Sequence, residues 1–371
     1  CKMENNKGTL TALLQKVQDQ SARKADFLAS TADLQKTTDA ETGNAQIVIE
    51  QNRGEPTRIL DVNDHAFGQM SNNIGIDVKT AKRLQDAIPV EFDAVVNKLW
   101  TKEPKTRMLR AHMENEQTGT ARAIVSDKFK TFDNVNLLES ALPQLMESDA
   151  QWQVVNGDIS EKRLYLRLKS NEQQGTGAAV GDVMANGIGF SNSEVGAGSV
   201  SAYQMFWTLA CLNGMQSEKK SRWSHITSAR DSDQWGMLTD EAKDADNKAL
   251  ELKLRDIIGT YASRDAFDAA LEKMREASGD IIEGEYSVQD TVDNLGRVMQ
   301  LTKKETSSVL DGLMKTLGQE GYAGNPLSRA TMVNAVTAAA NRSELDDVDV
   351  WQKRGGDVLN MSSRDWQRVA A

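Results

Sequence analysis

Cysteine is nearly absent. Cys1 and Cys211 are the only two among 371 residues, too few to staple a chain of this length, so the framework must come from packing. A reducing, cytoplasmic setting fits that economy. Cys1 at the first position reads as trimming of an initiator Met in preference to the lipid-bearing residue of a processed lipoprotein. Histidine is almost as scarce: His65, His112 and His225 with two distant thiols do not easily assemble a zinc site. Five prolines leave room for long helices. No run of about 18 apolar residues occurs, so no membrane span is expected. No basic-then-apolar leader opens the chain.

Enzyme signatures are missing as well. The chain has no G-x-x-x-x-G-K-[ST] phosphate cradle. Gly175, Gly177 and Gly181 lack the spacing and strand–helix context of a dinucleotide fingerprint. The Asp346-Asp347-Val348-Asp349 cluster has no further part of an EF-hand loop and reads as a solvated turn. Cys211, following Phe206, Trp207 and Leu209, reads as a buried inert thiol. No cofactor, no metal and no catalytic residue is therefore expected. A hydrolase would need Asp133 and His225 to converge in a deep pocket beside a hydroxyl.

What the chain has is charge, unevenly spread. The formal net charge is −10, which taken alone argues against a polyanionic partner. The segment from Asp231 to Asp293 carries 17 acidic and seven basic residues, and so holds the whole deficit. Lys98 to Lys130 has eight basic against four acidic residues. An acidic total with basic middle strands is compatible with local phosphate binding.

Apolar residues make up 39% of the chain, enough for a sizeable core. Their periodicity predicts an α+β fold: a twisted antiparallel sheet packed on helices, followed by a mainly helical C-terminal part. Residues 1–45 read as a mobile N-terminal arm with a short helix, 46–235 as the α+β core, 236–345 as a helical region and 346–371 as a tail. Within the core, short strands are expected at Ala45–Glu50 and Thr57–Val62, and helices at Asp77–Ala87 and Val90–Trp100, parted by Pro89. A hairpin of Thr106–His112 and Thr120–Asp127 comes next, then a helix Asn136–Glu147 disturbed by Pro143. Further strands are expected at Trp152–Val155, Lys162–Lys169 and Ile188–Asn192, and an apolar helix at Ala202–Cys211.

The strand Lys162–Lys169 alternates. Leu164, Leu166 and Leu168 share one face; Arg163, Tyr165, Arg167 and Lys169 share the other. Single-strand binders need cations for phosphates and flat rings for bases, and that polar face offers both. Arg107, Arg110, Arg122, Lys128 and Lys130 extend the set across neighbouring strands, and Lys219, Lys220 and Arg222 mix with Trp223 and His225 in a third cluster. The bland alternative is a solvated sheet whose outer face happens to be charged, and a wetted loop after a helix. Asn192-Ser193-Glu194-Val195-Gly196 and Asn213-Gly214 read as turn chemistry with no catalytic role.

Several stretches resemble a phage and plasmid family known as domain of unknown function 932. They are Val125-Ser126-Asp127-Lys128-Phe129-Lys130 with Phe132-Asp133-Asn134, Ile188 to Gly196, Cys211 to Met215 with Arg222 to His225, Asn334-Ala335-Val336-Thr337, and Gly355-Gly356. The resemblance covers roughly residues 50–360. It departs at Thr208, where the family usually has Arg, and at Leu212, usually a polar residue. Members of the family are similar to Rad fifty-two type annealing proteins, which form rings and bind DNA in a basic groove without metal or nucleotide. The resemblance thus implies single-stranded DNA as partner, a homo-oligomer (ring or filament), and a role in annealing during recombination. The rival expectation is a protein-interaction or anti-defence module that uses the acidic helical half as a docking face.

Overall fold

The computed structural model describes residues 6–50, 57–177, 183–209, 213–225, 238–284, 287–318, 326–343 and 345–371. Its architecture is α+β: two separate sheets, each packed on helices, with a helical C-terminal part. Among the described residues no helix is long and apolar enough to cross a membrane.

The first sheet has six strands: β1 (Lys24–Ser30), β2 (Leu34–Thr38), β3 (Ala45–Ile49), β4 (Arg58–Val62), β5 (Thr106–Met113) and β6 (Thr118–Ser126). Their order is β1-β5-β6-β4-β3-β2. Every pairing is antiparallel except β4 with β6. A parallel pair needs a long crossover, and helices α2 (Asp64–Asn73), α3 (Val78–Ala87) and α4 (Pro89–Lys102) provide it before β5 hairpins into β6. Each helix starts on a recognisable signal: the Asn63 and Asp77 side chains accept from backbone N–H groups in the first turn of α2 and α3, and Pro89 opens α4. The apolar stripes of these helices, with Phe67, Met70, Phe92, Val96 and Trp100, bury Ile47, Leu60, Leu109 and Ile124 of the sheet.

The second sheet is a five-stranded antiparallel meander: β7 (Trp152–Ile159), β8 (Leu164–Thr176), β9 (Val183–Asn192), β10 (Val200–Thr208) and β11 (Asn213–Trp223). Leu164, Leu166, Leu168, Ile188 and Phe190 form its apolar face. Against it pack Leu13 and Val17 of α1 (Asn6–Arg23), Leu137 and Leu138 of α5 (Asn134–Met146), and Leu254 and Ile258 of α6 (Asp240–Tyr261). The largest apolar cluster joins Phe206 and Met215 of this sheet to α7 (Arg264–Gly279), α8 (Val288–Val298), α9 (Lys303–Leu317), α10 (Arg329–Ala338), α11 (Leu345–Leu359) and α12 (Ser363–Ala370). Helix α11 runs against the outer strand β11, where a Cβ on Gly356 would strike the Gln216 carbonyl and one on Gly355 the Thr337 side chain. The glycine pair permits this close approach.

Four sequence readings are corrected. The segment read as an arm is built into both layers: β1 pairs with β5, β2 with β3, and α1 packs on β7 and β8. It could not be separated from the core without baring Leu13, Leu34 and Ile47. The apolar stretch read as a helix is strand β10, because a strand buried on both faces loses its alternation and mimics a helix; Cys1 and Cys211 lie outside the described residues. The tail is two helices that bury Trp351 and Trp366. The Asp349 carboxylate, read as part of a solvated turn, is buried on α11. Pro143 is accommodated inside α5, which runs from Asn134 to Met146.

Candidate functional site

The two sheets are joined by a buried polar hub. Arg110 on β5, 1% exposed, donates through Nε (2.9 Å) and Nη2 to the Asp26 carboxylate of β1, through Nη2 to Asp133 (2.7 Å), and through Nη1 to the Glu194 carbonyl (2.8 Å). Lys24 also donates to Asp133. Burial opposes charge on Asp133, but Arg110 and Lys24 outweigh it and hold the carboxyl below its ordinary range. Arg122 on β6 donates to Glu194 Oε2 (2.8 Å), while the Asn134 backbone N–H, in the first turn of α5, donates to Glu194 Oε1 (2.8 Å). Glu194 therefore ties the end of β9 to both β6 and α5 with every oxygen in use.

The next residues of the same loop complete the joint. The Val195 carbonyl accepts from Gln69 Nε2 of α2 (2.8 Å) and faces His65 Nε2 at 2.9 Å. Gly196 sits at φ +78°, and a Cβ there would lie 3.2 Å from Val125. Arg163 donates through Nε (3.0 Å) and Nη2 to the Ala197 carbonyl. His225, after β11, is stacked on Phe129 with ring centroids 5.0 Å apart. Its ring nitrogens face the Lys130 carbonyl and Asn192 Oδ1, each at 2.9 Å. Burial pushes its pKa down, against a raising contribution from the Lys130 carbonyl.

Between these pieces opens a cleft of about 1010 Å³. Its cations are Lys128, Arg163 and Arg222; its neutral polar groups include Gln69, Asn72, Asn73, Ser126, Ser199, Ser224 and His225. None of its described lining residues is Asp or Glu. Arg222 Nε donates at 3.1 Å to Ser199 Oγ, which stands just before the neighbouring strand β10. Three of the stretches that the sequence analysis set side by side, Val125 to Asn134, Ile188 to Gly196 and Arg222 to His225, meet here although almost 100 residues separate the first from the last.

The twelve candidate contact residues fare unequally. Lys128, Arg163 and Arg222 come together in the cleft. Arg107 lines a smaller adjoining cleft with Lys105. Arg110, Arg122 and Arg167 are buried and engaged with carboxylates, so they cannot serve as phosphate contacts. Tyr165 and Lys169 are buried too. The outer face of β8 is thus not a solvated face. Arg167 donates to Asp349 of α11 at 3.0 Å, and the same carboxylate oxygen accepts from the Tyr203 hydroxyl (2.7 Å) and Gln216 (2.9 Å). Lys130 pairs with Asp246 of α6 at 3.0 Å. Lys220 lies over the Tyr203 ring, 4.9 Å from its centroid, with its pKa lowered by burial. The Lys219 side chain lies outside the described residues.

The hydrolase alternative required Asp133 and His225 to converge in a deep pocket beside a hydroxyl; His225 lines the cleft with Ser126, Ser199 and Ser224, but Asp133 is not among its described lining residues. Instead Asp133 is committed to Arg110 and Lys24, and His225 to two oxygens. Among the described residues no group of three His, Cys, Asp or Glu side chains is placed to hold a metal ion. Gln69, Asn72 and Asn73 were missed in the sequence because amides at the end of an amphipathic helix read as ordinary solvated positions. Glu194 was passed over as turn chemistry, and only its neighbours on β6 and α5 reveal its work. Comparison with protein-family models, with curated proteins and with solved structures finds no match to this chain.

Proposed function

We propose that this protein binds single-stranded nucleic acid in the cleft between the two sheets, through Lys128, Arg163 and Arg222, and that its role is to protect or anneal single-stranded DNA as a homo-oligomer during phage or plasmid recombination. The observation that carries the binding reading is a cleft of about 1010 Å³ holding three cations and, among its described lining residues, no carboxylate, in a chain of net charge −10. Elsewhere the buried arginines are each matched by an acid; here Arg163 and Arg222 donate to the neutral oxygens of Ala197 and Ser199. Arginine forks suit phosphate oxygens, and the surrounding amides and hydroxyls suit sugar and base edges without demanding a sequence.

The test is fluorescence anisotropy with a labelled oligo-dT strand at 50 and 200 mM salt. Binding at low salt that weakens at high salt is expected, because released counterions drive phosphate contacts. Arg222→Glu should weaken it at least about 10-fold, the loss of one charge-assisted contact, with an unchanged thermal midpoint. Absence of binding at 50 mM salt, or wild-type affinity in Arg222→Glu, would remove the reading.

A further inference from the structure

The cleft does not end at its own walls. A second cleft of about 320 Å³ is lined by Lys105 and Arg107, with Glu103 as its single acid among the described lining residues. The two share a partition, Asn72 and Asn73 at the end of α2, which line both. They are also joined through the sheet: Arg107 on β5, in the smaller cleft, is the antiparallel cross-strand partner of Ser126 on β6, in the larger one. Cross-strand partners project from the same face about 5 Å apart. Arg107 and Lys128, two residues beyond Ser126, therefore stand on either side of a thin amide partition.

From this juxtaposition we infer that the two clefts form one track, which takes an extended single strand across the Asn72–Asn73 partition and places successive phosphates on the Arg163–Arg222 side and on Lys105–Arg107. The inference rests on the reading of the larger cleft as a nucleic-acid site and adds to it the direction and length of the ligand. Arg107 carries a further mark. Its Nε is buried and, among the described residues, has no hydrogen-bond partner. A buried donor without an acceptor is costly, so a turn of the guanidinium into the smaller cleft, where a phosphate oxygen would accept from it, is favoured. Lys105 is held in place by its backbone: its N–H donates to the Thr31 hydroxyl at 3.1 Å, and its carbonyl accepts from the Thr31 N–H at 3.0 Å. Its exposed side chain lines the smaller cleft from that anchored backbone. Asn72 and Asn73, each both donor and acceptor, suit a ribose–phosphate link passing over them. A compact ligand would fill the larger cleft alone and make no use of this second set.

A length series separates this proposal from the reading beneath it. Affinity is measured for thymidine 5′-monophosphate and for oligo-dT of two, four, six and eight nucleotides, with wild type, Arg107→Ala and Asn72→Ala. The track requires affinity to climb by more than 10-fold between the mononucleotide and the hexamer. In Arg107→Ala the ratio of hexamer to mononucleotide affinity should fall several-fold, and the log–log salt slope for the hexamer should become shallower by about 0.7, the value of one single-strand phosphate contact. A mononucleotide that binds as tightly as the hexamer, or an Arg107→Ala protein with the wild-type length dependence, overturns the track while leaving the larger cleft as a nucleotide site. Binding to neither ligand fails the underlying reading instead. Thermal midpoints of both variants check that the fold is intact.

Discussion

At the scale of single residues, the loop Asn192 to Ala197 does several jobs with few atoms. Gly196 illustrates it: its φ of +78° favours glycine, and Val125 is 3.2 Å from where a Cβ would stand. Gly43 has a comparable φ of +72° with nothing within 4 Å. Gly43→Ala should therefore cost only the backbone strain, about 1 kcal/mol, whereas Gly196→Ala also makes the Val125 methyl give by a few tenths of an ångström and should cost more than that. Urea unfolding of the two variants compares them directly; equal losses would refute a steric role for the loop's approach to β6. The sequence made the turn at Gly196 legible, since Asn and Gly tolerate positive φ. It could not reveal Glu194 as the joint between sheets, because the identity of a buried ion pair's partner depends on residues 60 to 72 positions away.

At the scale of elements, β8 decided how the candidate contacts were sorted. Its alternation was read correctly, and Leu164, Leu166 and Leu168 do share the apolar core. What the alternation could not tell is whether the other face meets water or another layer. Helix α11 supplies that layer, and Asp349 turns Arg167 from a contact residue into a structural one. Removing the acid leaves a buried guanidinium uncompensated, so Asp349→Ala should destabilise by about 3–5 kcal/mol. Arg167→Met with Asp349→Leu should recover only part of that loss: the apolar pair avoids desolvating two charges, but it leaves the buried Tyr203 hydroxyl and Gln216 amide without their acceptor. Calorimetry of the single and double variants measures both; a single variant as stable as wild type would show that α11 is held by its apolar contacts alone. Elements with one wet face, such as α3 and α4, were legible for the opposite reason: water on one side preserves the pattern.

At the scale of the whole molecule, the buried titratable groups set how stability depends on pH. Burial, with Arg122, Arg23 and Arg110 nearby, pushes His112 down to about 3, and burial pushes His225 down as well. Both imidazoles are neutral in the folded protein at neutral pH. The unfolded chain takes up their protons near pH 6.5, so stability is full above that value and declines as pH falls towards the folded value, with a slope of up to about 1.4 kcal/mol per pH unit for each histidine. Asp133 has the other depressed pKa in the hub; the contribution of its pairing with Arg110 and Lys24 is complete above about pH 4 and is lost below it. The expected profile is a decline from about pH 6.5 that steepens below 4. Urea unfolding at pH 7, 5.5 and 4.5 should show His112→Phe losing less stability over that interval than wild type; a wild-type protein with flat stability from 6.5 to 4.5 would sink the argument.

The placement of α1 carries a consequence for how the chain is made. Leu13 and Val17 have their partners on β7 and β8, and Lys16 pairs with Asp158 at 2.8 Å, while β1 directly after the helix waits for β5. On the ribosome this segment emerges well before any surface able to receive it, and more than 130 residues must be synthesised before Asp158 appears. The helix is thus made long before the strands it docks on, and until they appear its apolar stripe travels bare.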